Sequence, residues 1–538
     1  MPHGFFSLIL HAHLPFVRHP EHPEFLEEDW LYEAITEVYL PLLQTFDALD
    51  AEGARPRLAL NLSPTLCEML ADPLLQTRYT RHLENLSALA EKEITRTTRS
   101  GGDARRFLPV ARMYDRSLRA TRRLWHEVYE RDLIRGFRRL QDAGVCEIMT
   151  CAATHGFLPL ISTTEARRAQ IDIAVANYQK HFGRRPRGIW LPECAYAEGI
   201  ETLLADARLE YFIADTHAIL YGEPRPRSGV YAPVKLANGV AAFARDMETS
   251  RQVWSSLVGY PGDESYREFY RDIGWDAPLE YLLPHLHADG ARRYLGLKYH
   301  RVTGRDVPLS DKQPYRPRRA LRRAAIHAAH FVDERIKQCA RQRDALGGHA
   351  PLITSPYDAE LFGHWWFEGV HFLAHVFREL ARRRDEIETL SPADYLAAPG
   401  LRLQTQRLSP SSWGAEGYYK VWLNDTNAWL YPEQHFAEAR MTALANQHPV
   451  PPEDALALRA LKQAARELLL AQSSDWAFQI AHATTVEYAA RRFRSHIARF
   501  HALADDIERG EIDTTRLAEI EARDNIFSEL DYRAYRSR

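Results

Sequence analysis

The 538-residue chain is short of charge bias, cysteine and long apolar runs. Lys and Arg number 69 against 72 Asp and Glu, a net charge of −3, which leaves no basic footprint for nucleic acid. Five cysteines (Cys67, Cys146, Cys151, Cys194, Cys339) are too few, and odd in number, for a disulfide framework. They fit a reducing compartment. No stretch reaches the ~20 apolar residues that span a bilayer. The N-terminal run Phe5–Leu10 lacks a positive leader and a cleavage site, so a soluble cytoplasmic protein is expected. A Walker or dinucleotide glycine loop is missing, and so is a G-x-S-x-G elbow. Aromatics are plentiful instead: 11 Trp, 25 Tyr and 22 Phe, with 24 His. That excess suits both a large core and a sugar-stacking groove. With 45% hydrophobic and 26% charged residues the composition is that of a globular protein. At ~150 residues per domain, the length suggests two to four domains.

Short apolar runs recur at Phe5–Leu10, Arg57–Leu62, Val145–Ala152, Gly188–Leu191, Tyr211–Ala214, Val240–Ala244 and Pro351–Ser355. Helical patterns separate most of them, among them Trp30–Leu49, Thr164–Phe182, Arg318–Ala345 and His364–Arg384. Strands alternating with helices predict an α/β fold with a parallel sheet, closed or nearly closed into a barrel. From Pro64 to about Ala143 the pattern is helical, broken at Ser100–Asp103, and reads as an insertion between the second and third strands. Its 13 arginines between Arg96 and Arg139 alternate with Asp115, Glu127, Glu130 and Asp132, which predicts a solvated face. Lys298–Arg318 reads as a long surface loop. From about Ala428 to Asp531 the pattern is helical again, a C-terminal helical domain.

Functional groups of parallel α/β barrels sit just after the C-terminal ends of strands. Here those positions hold His11 and His13, then His155, Glu193, Asp215 and His217, Asp246, and Asp358. Cys194 follows Glu193 directly and is expected to point away from the mouth. Two chemistries suit this set. Two carboxylates on different strands can process a glycosidic bond, one attacking the anomeric carbon and the other serving as acid and base. Alternatively, His11, His13 and either Asp215 or Asp246 can ligate a metal in a hydrolase or deacetylase. Trp30, Trp275, Trp413 and Trp422, all near loops, favour the first as candidate sugar platforms. His11 and His13 then serve as hydrogen-bonding partners of sugar hydroxyls. A glycan-binding regulator without catalysis is the non-enzymatic reading.

Three stretches carry a family resemblance: His11-Ala12-His13-Leu14-Pro15, Trp190 to Tyr196, and Ser355 to Trp366. They resemble glycoside hydrolase family 57, and more narrowly its 1,4-α-glucan branching subgroup. Gly259–Gly262, Tyr266–Asp276, Ser411–Gly417 and Ser473–Trp476 add to the likeness. Leu14, where the wider family has Gln, argues for that subgroup over amylases and 4-α-glucanotransferases. The resemblance implies a distorted (β/α)7 barrel with a helical insertion and a C-terminal α-helical domain. On this sequence we place the barrel at 1–63 and 144–400, the insertion at 64–143 and the last domain at 401–538. It implies Glu193 as nucleophile, Asp358 as general acid/base with a raised pKa, and no metal or organic cofactor. It further implies glucan contacts from Asp475, Trp413, Arg271 and Trp275, and sugar hydrogen bonds from His13 and His155. Tyr260 is expected on a mobile loop over the acceptor. The implied activity cleaves an α-1,4 glucan and rejoins it through an α-1,6 link with retention, in a monomer or small homo-oligomer.

Overall fold

Buried parallel strands are apolar on both faces, and all seven apolar runs are strands in the computed structural model, which describes residues 2–99, 102–255 and 258–538. In chain order the strands are β1 (Gly4–Ala12), β2 (Leu58–Leu62), β3 (Cys146–Cys151), β4 (Gly188–Trp190), β5 (Tyr211–Ala214), β6 (Val234–Lys235), β7 (Ala241–Ala244), β8 (Leu352–Asp358) and β9 (Ile387–Thr389). They form one sheet in the order β6-β7-β5-β4-β3-β2-β1-β8, with β9 beside β1. Every pairing is parallel except β6 with β7. Between β7 and β8, where a ladder would close the barrel, Asp246 N–H donates to the Thr354 carbonyl at 2.9 Å. The result is a distorted half-barrel with a seam. In register, His11 of β1 stands opposite Asn61 of β2 and Asp358 of β8. These three positions therefore share one level near the strands' C-terminal ends.

The helices follow the sequence pattern with instructive departures. Thr164–Phe182 begins where the Thr163 side chain accepts from Ala166 N–H and ends at Gly183, whose φ of 69° suits glycine. The predicted Trp30–Leu49 helix is a continuous run over 28–51 with a π turn at Ile35–Tyr39. The helix expected from His364 begins at Gly369. The preceding turns instead carry Glu368 inward, where it accepts from Arg267 N–H and the Tyr315 hydroxyl.

Between β2 and β3 lie Pro64–Ala71, Pro73–Arg99, Leu108–Arg123 and Leu133–Asp142. Of the expected break, Ser100 and Gly101 lie outside the described residues. Arginines here pair locally, Arg96 with Glu93, Arg119 with Asp115 and Arg135 with Glu130, as a solvated face requires. The helical run expected from about Ala428 starts at Leu430. Residues 401–429 cross the barrel end, bridging Lys235 to Thr405, Glu223 to Arg407 and Tyr196 to Ser411. Beyond them Leu430–Gln447, Ala455–Ala471, Ser474–Ala481, Val486–Arg509 and Thr514–Arg523 pack together. All five cysteines are free and buried. Among the described residues no helix is long and apolar enough to cross a membrane.

Candidate active site

Two neighbouring strands lead into left-handed residues that are not glycine. After β3, His155 has φ 57°; after β4, Glu193 and Cys194 have φ 63° and 50°. Such a conformation costs an L-residue roughly 1–2 kcal/mol. The carbonyls of both strained sites are held from the C-terminal third of the chain. Trp413 N–H donates to the Glu193 carbonyl at 2.9 Å, and Ser474 N–H to the His155 carbonyl at 3.0 Å. Cys194 is buried in one cluster with Met149, Cys151 and Trp190.

The Glu193 carboxyl is gripped at both oxygens. The Trp413 indole N–H donates to Oε2 at 2.6 Å and the Ser474 hydroxyl to Oε1 at 2.8 Å. Burial pushes its pKa up to about 7; the Trp413 and Ser474 donors oppose this, while Asp475 and Asp358 add to it. Asp358, at the end of β8, is different. Burial and the neighbouring Glu360 push it up to about 8 against the pull of Arg245. Among the described residues none donates a hydrogen bond to its carboxyl. Glu360 is itself raised to about 7 by burial. Its Oε1 accepts from the Tyr39 hydroxyl at 2.5 Å and His13 N–H at 3.2 Å.

The three expected histidines form a stack in which every ring nitrogen already has a protein partner. His13 and His155 lie face to face with centroids 3.8 Å apart, and His11 stacks on Trp190 at 4.5 Å. His13 Nδ1 meets Ser63 Oγ at 2.8 Å and its Nε2 meets Asp475 Oδ2 at 3.0 Å. His11 Nδ1 meets Asn61 Oδ1 at 2.6 Å, and its Nε2 lies 3.0 Å from His155 Nε2. His155 Nδ1 meets Ser474 Oγ at 2.8 Å. Burial holds His11 and His155 well below the usual histidine range, each further depressed by His13. His13 and His155, expected to hydrogen-bond a sugar, have all their ring nitrogens within hydrogen-bond distance of other side chains.

The aromatic candidates separate. Trp413 lies edge-on to Trp190 at 5.2 Å and touches Glu193 through its N–H as well as through its backbone. Trp30 is half-buried, edge-on to Tyr488 at 5.9 Å. Trp275 is 48% exposed and rests on Tyr294 at 4.5 Å. Beyond it, exposed Trp365 stacks on Phe269 at 4.3 Å. Trp422 does not offer a platform, since it is buried and stacked on Phe157.

Two further candidates have partners within the protein. Arg271 binds the Asp276 carboxylate through Nε and the Leu309 and Ser310 carbonyls through Nη1, so it fastens a loop. Tyr260 is buried with its hydroxyl 2.7 Å from His330 Nδ1, packed against the helix Pro317–Ala345.

The metal set drawn from the sequence is not assembled. Asp215 binds Arg245 at 2.6 Å and Thr216 N–H, and Asp246 accepts from Thr249 N–H and the Gln338 amide. Neither reaches His11 or His13. His13, His155 and Asp475 do bring ligand-type atoms within 4.8 Å of one another. Their nitrogens also lie within hydrogen-bond distance of Asp475, Ser474 and His11.

Asn61, Ser63, Ser474 and Glu360 complete the arrangement without having been singled out in sequence. Ser474 and Glu360 lay inside quoted motifs, but only proximity in space gives them a role. Ser474 and Glu193 are 281 residues apart.

Residues 7–315 match the profile of glycosyl hydrolase family 57, and residues 433–535 that of the 1,4-alpha-glucan branching enzyme C-terminal domain. The chain is 36% identical to the 1,4-alpha-glucan branching enzyme TK1436 of Thermococcus kodakarensis, over 97% of this chain and 77% of that protein. The crystal structure of that enzyme with glucose superposes with a TM-score of 0.88 at 35% identity, covering 99% of this chain and 97% of that one. The alpha-amylase AmyC of Thermotoga maritima superposes with a TM-score of 0.92 at 41% identity, covering 99% of each chain.

Proposed function

The chain belongs to glycosyl hydrolase family 57, and on that premise we propose that it is a 1,4-α-glucan branching enzyme whose nucleophile is Glu193 and whose general acid/base is Asp358. The observation that carries the residue assignment is the unequal dressing of the two carboxyls. Two donors favour ionised Glu193. Burial and a neighbouring acid, with no donor among the described residues, favour protonated Asp358.

Glu193 attacks C1 of a glucose unit within an α-1,4 glucan while Asp358 gives its proton to the departing O4. A glycosyl ester on Glu193 results. Asp358, now a carboxylate, takes the proton of an acceptor 6-hydroxyl, which displaces Glu193 and forms an α-1,6 link with retained configuration. The charge moves from Glu193 to Asp358 and back, so the cycle needs no net proton uptake. Trp413 orients Glu193, and Trp30, Trp275 and Asp475 are the candidate glucan contacts. The near-neutral net charge suits an uncharged substrate, and the five reduced cysteines suit the cytoplasm.

Proton NMR of amylose incubated with the protein tests this. New α-1,6 anomeric signals are expected. Reducing ends without branch points would make the chain an α-amylase, the reading favoured by its likeness to AmyC.

A further inference from the structure

A line of four hydrogen bonds runs from the barrel core to the Glu193 carboxyl, and its proton count is constrained. Asn61 uses both amide hydrogens on the Met149 and Thr150 carbonyls, at 3.1 and 2.7 Å. Its Oδ1 can then only accept, so His11 Nδ1, 2.6 Å away, carries a hydrogen. A neutral His11 leaves Nε2 bare, and the facing His155 Nε2 at 3.0 Å must donate to it. His155 Nδ1 and Glu193 Oε1 both lie 2.8 Å from Ser474 Oγ, which has one hydrogen to give.

Two arrangements satisfy every contact. In the first, protonated Glu193 donates to Ser474, Ser474 donates to His155, and all groups are neutral. In the second, His155 Nδ1–H donates to Ser474, Ser474 donates to a Glu193 carboxylate, and His155 is an imidazolium. They contain the same protons. A third arrangement, in which Glu193 loses its proton to water, leaves the bare Nδ1 facing the serine lone pairs at 2.8 Å.

We propose that Asn61, His11, His155 and Ser474 form a proton relay that ionises Glu193 by internal transfer to His155. The Glu193 Oε1–H bond breaks as a Ser474 Oγ–H bond forms, and the former serine proton bonds to His155 Nδ1. Burial, His13 and His11 all disfavour a cation on His155, so the imidazolium forms only as Glu193 attacks, and it then balances Asp358 in the glycosyl-enzyme. Asn61 and His11 are positioning residues: Asn61 is fully buried and fixes which nitrogen of His11 holds the proton. The other ionisable groups facing the relay are His13, stacked on His155, Asp475 beyond it, and Asp358 with Glu360 across the mouth.

This relay rests on Glu193 being the nucleophile, and the tests separate the two. The pH profile of kcat/KM for intact protein is measured for Asn61→Asp, Asn61→Leu, Ser474→Ala and Ser474→Thr. Asn61→Asp, which favours a cation on the imidazoles, is expected to move the acid limb down by about 1 pH unit. Asn61→Leu and Ser474→Ala are expected to move it up by a similar amount, and Ser474→Thr to restore it. An acid limb that ignores both Asn61 substitutions overturns the relay, because Asn61 touches neither Glu193 nor the cleft. Nitrogen NMR of 15N-histidine-labelled wild-type protein needs no variant to fold. It should show His11 protonated at Nδ1 and His155 at Nε2; the opposite tautomers overturn the relay. Retained turnover in Glu193→Gln would instead overturn the functional reading.

Discussion

The ends of β4 and β8 each present a buried carboxyl to the same mouth, yet they are built in opposite ways. Glu193 sits on strained backbone, and donors from downstream segments fix both of its oxygens. Asp358 continues its strand without a left-handed residue, with no donor among the described residues. A nucleophile benefits from a fixed orientation and a favoured anion. An acid/base must hold a proton and leave its lone pairs open to substrate. On the proposed assignment, the two surroundings give those two characters to otherwise similar groups.

The comparison breaks most completely at Glu193. Glu193→Gln keeps the hydrogen-bonding shape and removes the attacking oxygen, so branching and hydrolysis of amylose should both fall by about 10⁴-fold or more. Asp358→Asn should cost roughly 10²–10⁴-fold on amylose. The loss should shrink on an aryl glucoside whose leaving group needs no proton, whereas Glu193→Gln should remain inactive on it. Trp413→Phe keeps the ring and deletes the N–H to Oε2. Losing one hydrogen bond to a charged group, about 1.5–3 kcal/mol, predicts a roughly 10–100-fold fall in kcat/KM, together with an acid limb at higher pH.

Glu360 sharpens the comparison from the other side. Activity should fall as pH rises through about 8, where Asp358 loses its proton. Glu360→Gln removes the negative neighbour, so this basic limb should move to lower pH while the acid limb stays. The smallest effect concerns stability. Glu193 binds its proton more tightly folded than unfolded, since burial raises its pKa from 4.5 to about 7. Its contribution to stability is therefore present below pH 4.5 and lost as pH rises towards 7. Glu193→Gln has no such loss, and should melt higher than wild type at pH 8 but not at pH 4, by on the order of 1–3 kcal/mol.

Seven strands, three-residue β4 among them, were legible because burial on both faces leaves a nearly unbroken apolar run. β6 and β9, of two and three residues, leave no such trace. Position alone placed Glu193 and Asp358 among four carboxyls just past apolar runs, with Asp215 and Asp246; the family resemblance singled out the pair. The groups that differentiate them were not legible. Asn61 looks like one polar interruption of β2, and its meaning appears only when His11 stands opposite. Ser474 lies in a helical stretch far down the chain. Tyr260, Trp422 and Arg271 show the converse limit: an aromatic or cation near a loop reads the same in sequence whether it faces solvent, core or a neighbouring loop.

The strained residues on β3 and β4 are held by chain made long after those strands. A nascent polypeptide that has reached residue 400 has every sheet strand but neither Trp413 nor Ser474. At ~5–20 residues per second, the stretch up to Ser474 takes roughly 4–15 s more. During that interval the two carboxyls exist without the donors that distinguish them. On the proposed assignment, catalysis begins only with the arrival of Ser474, after the sheet is complete.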